Sequence, residues 1–420
     1  MTPLLSLSCR SLLNRRGTVG LTVFAIAVSV MLVLGVERLR HDAKSSFANT
    51  ISGTDLIVGA RSGTIQLLLY SVFRIGNATN NIAWKSYRDI AAQPEIAWTV
   101  PLSLGDSHHG FRVMGTTADY FRHYRYGRKQ PLRFAAGVAF EDVFDAILGA
   151  DAAKALGYEL GDAIVVSHGL GQTGFARHED KPFKVVGILA KTGTPVDRTV
   201  HVSLAGIEAI HIDWRSGSRV PGMTTDADTV RQMDLQPKAI TAFLVGTKSR
   251  FAAFRLQRTI NEYPREPLLA VLPGVALQEL WDLMGTAEAA LSAISMFVVA
   301  AGLLGMMTML LSGLNERRRE IAILRSVGAR PAHVFGMLVL EAAFISLGGA
   351  LVGLVMLYAG LLVAQPLIDV QYGLFLSIGL PTARDLTLLG VIFFAGVLVG
   401  AVPGYRAYRH SLADGMIVRT

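Results

Sequence analysis

The sequence predicts a membrane protein with four transmembrane helices and a large outer α+β domain inserted between the first and second helices. Two observations predict this fold class. The 420 residues have a mean hydropathy of +0.41, which is high for a soluble chain but low for one that lies wholly within a bilayer. The apolar residues are also concentrated in four long runs, whereas residues 37–288 alternate between strand-like and helix-like patterns.

The four apolar runs fit the length of a membrane span, because a helix of roughly 20 residues crosses a hydrocarbon core about 30 Å thick. The first run exceeds the roughly 7–15 apolar residues of a signal peptide and has no small-x-small cleavage site before Glu37. We therefore expect it to be retained. The last run is short, but it carries no charge. The predicted spans are residues 17–36, 289–314, 332–363 and 386–402.

Lysine and arginine residues near the span ends predict the orientation, because cytoplasmic loops carry the excess of positive charge. Five arginines lie between spans two and three, whereas the loop 364–385 holds only Arg384. We therefore expect both termini and residues 315–331 in the cytoplasm, and residues 37–288 outside. This bias accounts for much of the formal charge of +8, so no nucleic-acid partner is expected. The supporting arginines beside span one and in the tail 403–420 are Arg10, Arg15, Arg16, Arg406, Arg409 and Arg419.

Three further helices are predicted next to the spans. Residues 1–16, rich in leucine and basic at their end, suit a cytoplasmic helix lying on the membrane surface. Helical stalks at about 37–50 and 274–288 are expected to join the outer domain to spans one and two, because no helix breaker separates them from those spans.

The outer domain is predicted to be α+β, because runs rich in Val and Ile alternate with helical patterns. It contains no cysteine, so it must be stable through its own core. The polar segment 212–238 is either a mobile loop or the edge of a second lobe. Strands are predicted at 54–60, 98–104, 111–117, 163–168, 183–190, 199–204 and 239–247, and helices at 87–93, 141–157 and 249–263.

The apolar stretch SGTIQLLLYSVF, residues 62–73, has two interpretations. We expect a helix buried within the outer domain. The alternative is part of an apolar groove that receives acyl chains or a protein partner, since an exposed apolar stretch of this kind marks an interaction surface.

The segment NERRREIAILRSVGAR, residues 315–330, is the strongest functional signal. It combines a charged helix start, an apolar IAIL run and a Gly-Ala stop before Pro331, between two predicted spans. Positive-inside bias alone would explain the arginines but not the amphipathic pattern. We predict that this helix takes a mechanical push from a separate cytoplasmic motor, with its apolar residues in a groove of that partner and its charges forming a polar rim. The predicted coupling residues are Glu316, Arg317, Arg318, Arg319, Glu320, Ile321, Ile323, Leu324, Arg325, Gly328 and Ala329.

Two features inside the spans predict helix packing. Glu341 lies within span three, where an ionisable group is costly, and we expect it to have a structural hydrogen-bonding role rather than to relay ions. Small residues four apart allow helices to approach closely in lipid. The pairs predicted to do so are Ala301 with Gly305, Gly349 with Gly353, and Gly396 with Gly400.

Histidine is frequent in residues 37–288, but no pattern there indicates metal binding or catalysis. His108-His109 and the His-Glu-Asp sequence at 178–180 contain residue types that bind zinc, yet HExxH, a cysteine partner and repeated spacing are absent. GxSxG is absent as well. We expect surface histidines, no metal site and no catalytic residue. The histidines concerned are His41, His108, His109, His123, His168, His178, His201 and His211.

Together these features resemble the MacB/FtsX-type ABC transporter permeases, which include the lipoprotein-release permeases. The most specific motif is ERRREIAILRSVGA at 316–329, which resembles the family's charged segment after span two. Supporting motifs are EAAFISLGGALVG at 341–353, VPGYRAYRHSLADGM at 402–416 and the strand–loop–strand sequence at 183–204. The resemblance covers nearly the whole chain in layout.

The resemblance implies a multi-pass protein of the bacterial inner membrane whose large domain is periplasmic. It implies a homodimer on two cytoplasmic ATPase subunits, with mechanotransmission through the stalks that extracts or exports a lipoprotein, peptide or small molecule. The MacB exporter carries a fused ATPase domain, whereas in this sequence only residues 1–16 precede span one and no GxxxxGK[ST] occurs. We therefore expect ATP and Mg²⁺ to bind a separate subunit, and this chain to be no enzyme and to bind no cofactor.

Two alternative functions stay open at this point. The first is a non-transporting transmitter that activates a periplasmic hydrolase or sensor, which would be stimulated by a protein partner without moving a substrate. The second is a component of a zinc-linked transport system, which would require metal binding by the outer-domain histidines.

Overall fold

The computed structural model describes residues 3–168, 178, 180–215, 218–219, 225–372 and 378–409. The tail after Arg409, which includes the end of the 402–416 motif, lies outside the described residues, as does part of the 212–238 segment. The helices are α1 Pro3–Asn14, α2 Arg16–Thr50, α3 Thr64–Leu68, α4 Trp84–Ala91, α5 Asp119–His123, α6 Ala150–Leu156, α7 Leu204–His211, α8 Ala227–Arg231, α9 Arg250–Asn261, α10 Pro273–Glu316, α11 Arg318–Ser326, α12 Pro331–Tyr372 and α13 Ala383–Arg409.

The strands belong to the segment between α2 and α10. The same segment contains a π-helical turn at Leu69–Phe73 and a 3-10 turn at Pro195–Arg198. The strands are β1 Leu56–Ala60, β2 Ile82–Ala83, β3 Ile96–His108, β4 Phe111–Thr116, β5 Arg125–Tyr126, β6 Gln130–Pro131, β7 Phe134–Gly137, β8 Asp145–Leu148, β9 Ala163–Ile164, β10 Ser167–His168, β11 Phe183–Leu189, β12 Thr199–Ser203, β13 Trp214–Arg215, β14 Ser218–Arg219, β15 Ala239–Ile240, β16 Ala242–Thr247 and β17 Leu268–Val271.

The chain divides into two compact units. The helical unit comprises residues 1–42, 285–367 and 376–420, and the outer unit comprises residues 43–284 and 368–375. Among the described residues, four helices are long and apolar enough to cross a membrane, namely those within Arg16–Asp42, Pro273–Leu314, Pro331–Gln365 and Ala383–Arg409. Each of the four spans predicted from the sequence lies within one of these helices.

The helical unit is held together by an apolar core among α2, α10, α12 and α13. Ile26, Val30, Met306 and Ile345 are almost completely buried there. Glycines allow the helix backbones to approach, because a Cβ added at Gly302 would contact Ser29 Oγ. The Ser29 hydroxyl donates to the Val298 carbonyl at 3.2 Å, so α2 and α10 are also linked by a hydrogen bond inside the bundle.

The outer unit is built on a mixed sheet that has eleven strands among the described residues, with a main path β17-β1-β16-β3-β4-β12-β8-β11-β7. Strand β12 pairs in parallel with β4, and β11 in parallel with β8, while the other pairs along this path are antiparallel. Helices packed on this sheet bury its apolar residues, which gives the α+β class that the alternating sequence pattern predicts.

Several elements of the outer unit, among them β7, α5 and α7, were not predicted from the sequence, and two further differences are informative. Residues 145–148 were predicted as the middle of a helix but form β8, because they lie between β11 and β12 and pair with both. A buried site between two strands therefore overrides the local helical pattern. The strand β17 was not predicted, although its residues Leu268, Ala270 and Val271 are buried.

The apolar stretch 62–73 forms α3 and the π-helical turn. Leu67, Leu68, Tyr70 and Phe73 are buried in the largest apolar cluster of the outer unit. The predicted buried helix is therefore confirmed, because these side chains belong to the core of the outer unit.

Candidate functional site

The coupling segment begins where α10 ends. Arg317 separates α10 from α11, and its backbone leaves the helical conformation with φ −99° and ψ 7°. The hydrogen bonds from Arg317 N to Gly313 O, at 3.1 Å, and from Ile321 N to Arg317 O, at 2.9 Å, continue the turn on both sides. The chain therefore changes direction at Arg317 without leaving the backbone groups on either side unpaired.

The side chain of Arg317 joins α11 to α12. Its Nη1 donates to Glu341 Oε1 at 2.9 Å and to Glu341 Oε2 at 3.0 Å, and its Nε donates to Glu320 Oε2 at 3.3 Å. Arg317 is 8% exposed and Glu341 is 3% exposed. An ion pair removed from water in this way fixes geometry strongly, because breaking it leaves a buried charge without a partner.

The helix α11 presents two faces. On the inner face, Ala322 is buried, and Ile321 packs against a small cluster in which Leu314 and Leu338 are buried. On the outer face, Ile323 is 56% exposed and Val327, four residues further along, is 83% exposed. Residues four apart on a helix are neighbours, so these two side chains form one exposed apolar patch on this chain.

Specific residues end α11 and begin α12. Gly328 has φ +99°, and the bond from Ala329 N to Leu324 O, at 3.0 Å, closes the last turn. This left-handed conformation suits glycine. Arg330 then precedes the first helical residue Pro331, and its N–H donates to His333 Nδ1 at 3.2 Å while His333 N donates to Arg330 O. The loop therefore fixes the end of α11 and the start of α12 within a few residues.

The arrangement corrects two details of the sequence prediction. Arg317 was placed on a polar rim facing the ATPase, but its guanidinium is buried against Glu341, as the burial and distances above show. Ile321, which was expected in the ATPase groove, is half-buried and packs partly against its own chain. Conversely, Val327 was overlooked because it follows the IAIL run, although its four-residue spacing from Ile323 was a usable signal.

The remaining predicted coupling residues fall in three groups. Arg319 and Glu320 are exposed, whereas Leu324 and Arg325 are half-buried. The backbone of Glu316 ends α10 and that of Arg318 begins α11, while their side chains lie outside the described part of the chain. The structure therefore provides an exposed charged edge at Arg319 and Glu320, next to the patch of Ile323 and Val327.

Four of the six small residues lie at helix contacts. A Cβ added at Gly349 or Gly353 would collide with α2, and one added at Gly396 or Gly400 would collide with α12. The Ala301–Gly305 pair differs from its prediction, because both residues are exposed and a Cβ at Gly305 would meet no atom of the described chain. Gly302 provides the close approach on α10 instead.

A second buried ion pair lies at the opposite end of the helical unit. Arg38 of α2 and Asp385 of α13 are 3.8 Å apart, and Arg38 Nη2 donates to Gly379 O at 2.9 Å. Nearby, Arg384 Nε is 2.8 Å from Glu37 Oε1, and Arg40 Nε is 2.9 Å from Glu288 Oε2. These pairs connect α2 to α10 and α13. No local sequence pattern predicted these pairs, because their members are far apart along the chain.

The histidines of the outer unit are less exposed than predicted. His108, His178 and His201 are buried, so the surface interpretation is wrong for these three. His108 donates from Nδ1 to Val165 O at 2.7 Å, since a carbonyl only accepts, and its Nε2 is 3.1 Å from Tyr158 OH. Within the described residues, no group of three His, Cys, Asp or Glu is arranged to hold a metal ion.

Comparisons with known proteins place both halves of the chain. The family model described as MacB-like periplasmic core domain matches residues 19–238, more than half of the chain, and the one described as FtsX-like permease C-terminal matches residues 292–412. The second match contains α11, Glu341 and the four contact glycines.

The chain is also similar to curated proteins. It is 26% identical to the lipoprotein-releasing system transmembrane protein LolC of Neisseria meningitidis, over 63% of this chain and 60% of that protein. It is 24% identical to the macrolide export ATP-binding/permease protein MacB of an Azoarcus species, over 93% of this chain and 55% of that protein. The chain thus spans little more than half the length of these relatives.

A solved structure of the periplasmic region of MacB from Actinobacillus actinomycetemcomitans covers 55% of this chain and 94% of that chain, with 13% identity and a TM-score of 0.33. The assignment rests on the two family matches, together with the four apolar helices. The chain belongs to the MacB/FtsX-type family of ABC transporter permeases and is a membrane permease with a periplasmic core domain.

Proposed function

We propose that this chain receives force at α11 from a separate cytoplasmic ATPase subunit and transmits it to its periplasmic domain. The observation that carries the proposal is the exposed patch of Ile323 and Val327 on a short helix whose opposite side is fixed to the bundle. An apolar patch rimmed by charge is what a protein partner contacts. Arg319 and Glu320 supply that rim.

The anchoring of α11 supports a role in transmitting force. A helix that receives a push must be tied to the elements that move, and Arg317 ties its start to Glu341 of α12 at 2.9 Å and 3.0 Å. Gly313 belongs to the last turn of α10, and its carbonyl accepts from Arg15 Nη2 at 3.5 Å. A displacement of α11 would therefore be shared by α10, α12 and the segment before α2.

Continuous helices support transmission toward the periplasm. The helix α2 runs unbroken to Thr50, and α10 begins at Pro273 and runs unbroken to Glu316. In the outer unit, the rings of Phe47 and Trp281 meet edge to face with centroids 5.6 Å apart. An unbroken helix carries an axial displacement along its length because every turn is hydrogen-bonded to the next.

The substrate we propose is an envelope molecule such as a lipoprotein, a peptide or a small molecule, in keeping with the printed names of the LolC and MacB relatives. The permease would act as a homodimer with two ATPase copies and with its termini in the cytoplasm. The 420 residues contain no GxxxxGK[ST] sequence, so the ATP-binding site of the assembly lies outside them.

The test is co-purification of the ABC ATPase that is co-expressed with this chain. Ile323→Asp together with Val327→Asp should abolish recovery of the ATPase. Loss of one apolar contact at the centre of an interface costs about 2 kcal/mol or more, which weakens binding roughly 30-fold.

The matched control is Phe251→Asp, because Phe251 is an apolar side chain that is 88% exposed on α9 of the outer unit. This variant should retain the ATPase in full. Undiminished recovery with the double variant, at normal membrane insertion, would refute the docking role of α11.

A further inference from the structure

A small polar cavity lies in the outer unit beside the π-helical turn. Its volume is about 250 Å³, which is below the roughly 300–1,000 Å³ of sites for drug-sized ligands. The turn contributes Tyr70, and Arg74 directly follows it. Strand β4 contributes Arg112, and the loop after Arg74 contributes Asn77 and Asn81. A bulge between Leu104 and Ser107 of β3 opens the floor at Gly105.

Two arginines lie in this cavity with neutral partners. Arg74 donates through Nη1 to Ser71 O and through Nη2 to Met114 Sδ at 2.7 Å. Arg112 donates to Asn77 Oδ1 at 2.9 Å and to Gly76 O at 2.5 Å. In the part of the chain that the structure describes, neither guanidinium is paired with a carboxylate, and Arg74 Nε is buried without any hydrogen-bond partner.

The two positive charges act on each other. Burial lowers the pKa of Arg112, and the nearby charge of Arg74 lowers it further. Arg74 also has a left-handed backbone, with φ 61°, a conformation that is unfavourable for a residue other than glycine. The repulsion between the charges of Arg74 and Arg112, together with the unpaired donor Arg74 Nε, is unfavourable. A doubly negative group bound between the two arginines would offset this repulsion.

We propose that this cavity binds a phosphate monoester through the guanidinium groups of Arg74 and Arg112, with Asn77 and Asn81 around it. Guanidinium forks match the oxygens of phosphate with two parallel hydrogen bonds. A phosphate monoester carries a charge of about −1.5 to −2 at neutral pH, which balances two arginines where a single carboxylate would not. The remaining volume holds a small organic group attached to the phosphate.

The phosphate could be supplied by a soluble ester or by a phospholipid headgroup. A phosphodiester headgroup carries one charge and is attached to acyl chains, whereas the cavity is small and polar. The proposal does not depend on force transmission through α11, because it concerns residues of the outer unit alone.

The experiment follows unfolding of the full-length chain in dodecyl maltoside without phosphate, using tryptophan fluorescence. The four tryptophans, Trp84, Trp98, Trp214 and Trp281, all belong to the outer unit, so the signal reports on the part that holds the cavity. The probes are inorganic phosphate and glycerol phosphate, with choline chloride at equal ionic strength as the cationic control. A separate titration uses micelles that contain phosphatidylglycerol. A ligand that binds only the folded state raises the unfolding temperature.

Both phosphate probes should raise the unfolding temperature, and choline chloride should not. Arg112→Gln should weaken the response roughly tenfold or more, since it removes a charge-assisted hydrogen bond. The matched control Arg128→Gln, an exposed arginine of the same unit, should leave the response unchanged. Arg112→Lys keeps the charge but removes the fork, so it should fall between Arg112→Gln and the parent.

Asn77→Asp provides a test that does not depend on a loss of stability. Asn77 Oδ1 is 2.9 Å from Arg112 Nη1, so the new carboxylate should pair with the arginine, raise the unfolding temperature without phosphate and abolish the response to it. A response only to phosphatidylglycerol, lost in Arg112→Gln, would support the oxyanion site and assign it to a headgroup. Absence of any response, or equal weakening by Arg128→Gln, would overturn the proposal.

Discussion

Replacing Glu341 by alanine should destabilise the helical unit, because it removes the carboxylate that pairs with Arg317. The pair is buried, with Arg317 8% and Glu341 3% exposed. Removing one member of a buried ion pair costs about 3–5 kcal/mol, because the other charge stays in the interior without compensation. The result expected from the structure lies at the lower end of this range.

The reason is the second carboxylate beside Arg317. Glu320 Oε2 is 3.3 Å from Arg317 Nε, and the side chain of Glu320 is 65% exposed. It therefore keeps the guanidinium partly compensated, and we expect a loss of about 3 kcal/mol. For a unit of this size, such a loss lowers the unfolding temperature by roughly 6–12 °C.

The assay is thermal unfolding of the purified chain in detergent, for the parent, Glu341→Ala, Glu341→Met, Arg317→Met and the double variant Arg317→Met with Glu341→Met. Replacing both partners by apolar side chains of similar volume removes the uncompensated charge, so the double variant should recover to within about 1 kcal/mol of the parent. The interaction energy between the two positions is then the measured quantity.

Two results would refute this reasoning. An unchanged unfolding temperature in Glu341→Ala would show that the pair contributes nothing to the fold. Alternatively, the double variant could be as unstable as Glu341→Ala, which would show that the loss comes from altered packing and not from the stranded arginine.

Other predictions concern helix packing and the outer unit. Gly396→Ala should destabilise the bundle by about 1–3 kcal/mol, because the added Cβ would collide with Ser346. Gly305→Ala should be neutral or stabilising by up to about 1 kcal/mol. Thermal unfolding in detergent compares the two variants, and equal effects would contradict the assignment of Gly396, but not Gly305, to a helix contact. Lys181→Met should destabilise the outer unit at pH 7, since Lys181 Nζ is 2.7 Å from the buried Asp213. Burial raises the pKa of Asp213, but hydrogen bonds from Lys181 and Thr225 outweigh it and lower this pKa from 3.8 to about 2. The lowered pKa of Asp213 contributes about 2 kcal/mol to the stability of the folded state. This contribution is present above the unfolded pKa and is lost as the pH falls from about 4 to 2. The unfolding free energies of the parent and Lys181→Met, followed by tryptophan fluorescence, should therefore converge in this pH window, and a difference that stays constant would refute the prediction.

Periodicity and composition predicted the features that depend on neighbouring residues. The uncharged runs predicted the four long helices, and the apolar stretch 62–73 predicted a buried helix, because burial in both follows from local composition. Residues 145–148 were predicted as helix because local propensity carries no information about β11 and β12 on either side. Long-range pairing decided that element.

In the candidate site, too, local features were predicted from the sequence and long-range contacts were not. The sequence predicted the position of α11 and the end at Gly328, because caps and amphipathic spacing are local. It did not predict that Arg317 faces inward, since the partner Glu341 lies 24 residues away on another helix. The pairs of Arg38 with Asp385 and of Arg40 with Glu288 were missed for the same reason.

The central claim is that α11 contacts a cytoplasmic ATPase, and site-specific crosslinking tests it most directly. A photoreactive residue placed at position 323 in living cells should form an adduct with the ATPase subunit, while the same residue at position 251 should form none, because Ile323 is 56% exposed on α11 and Phe251 lies in the outer unit. Absence of the adduct at 323, with the ATPase present and the chain in the membrane, would contradict the account.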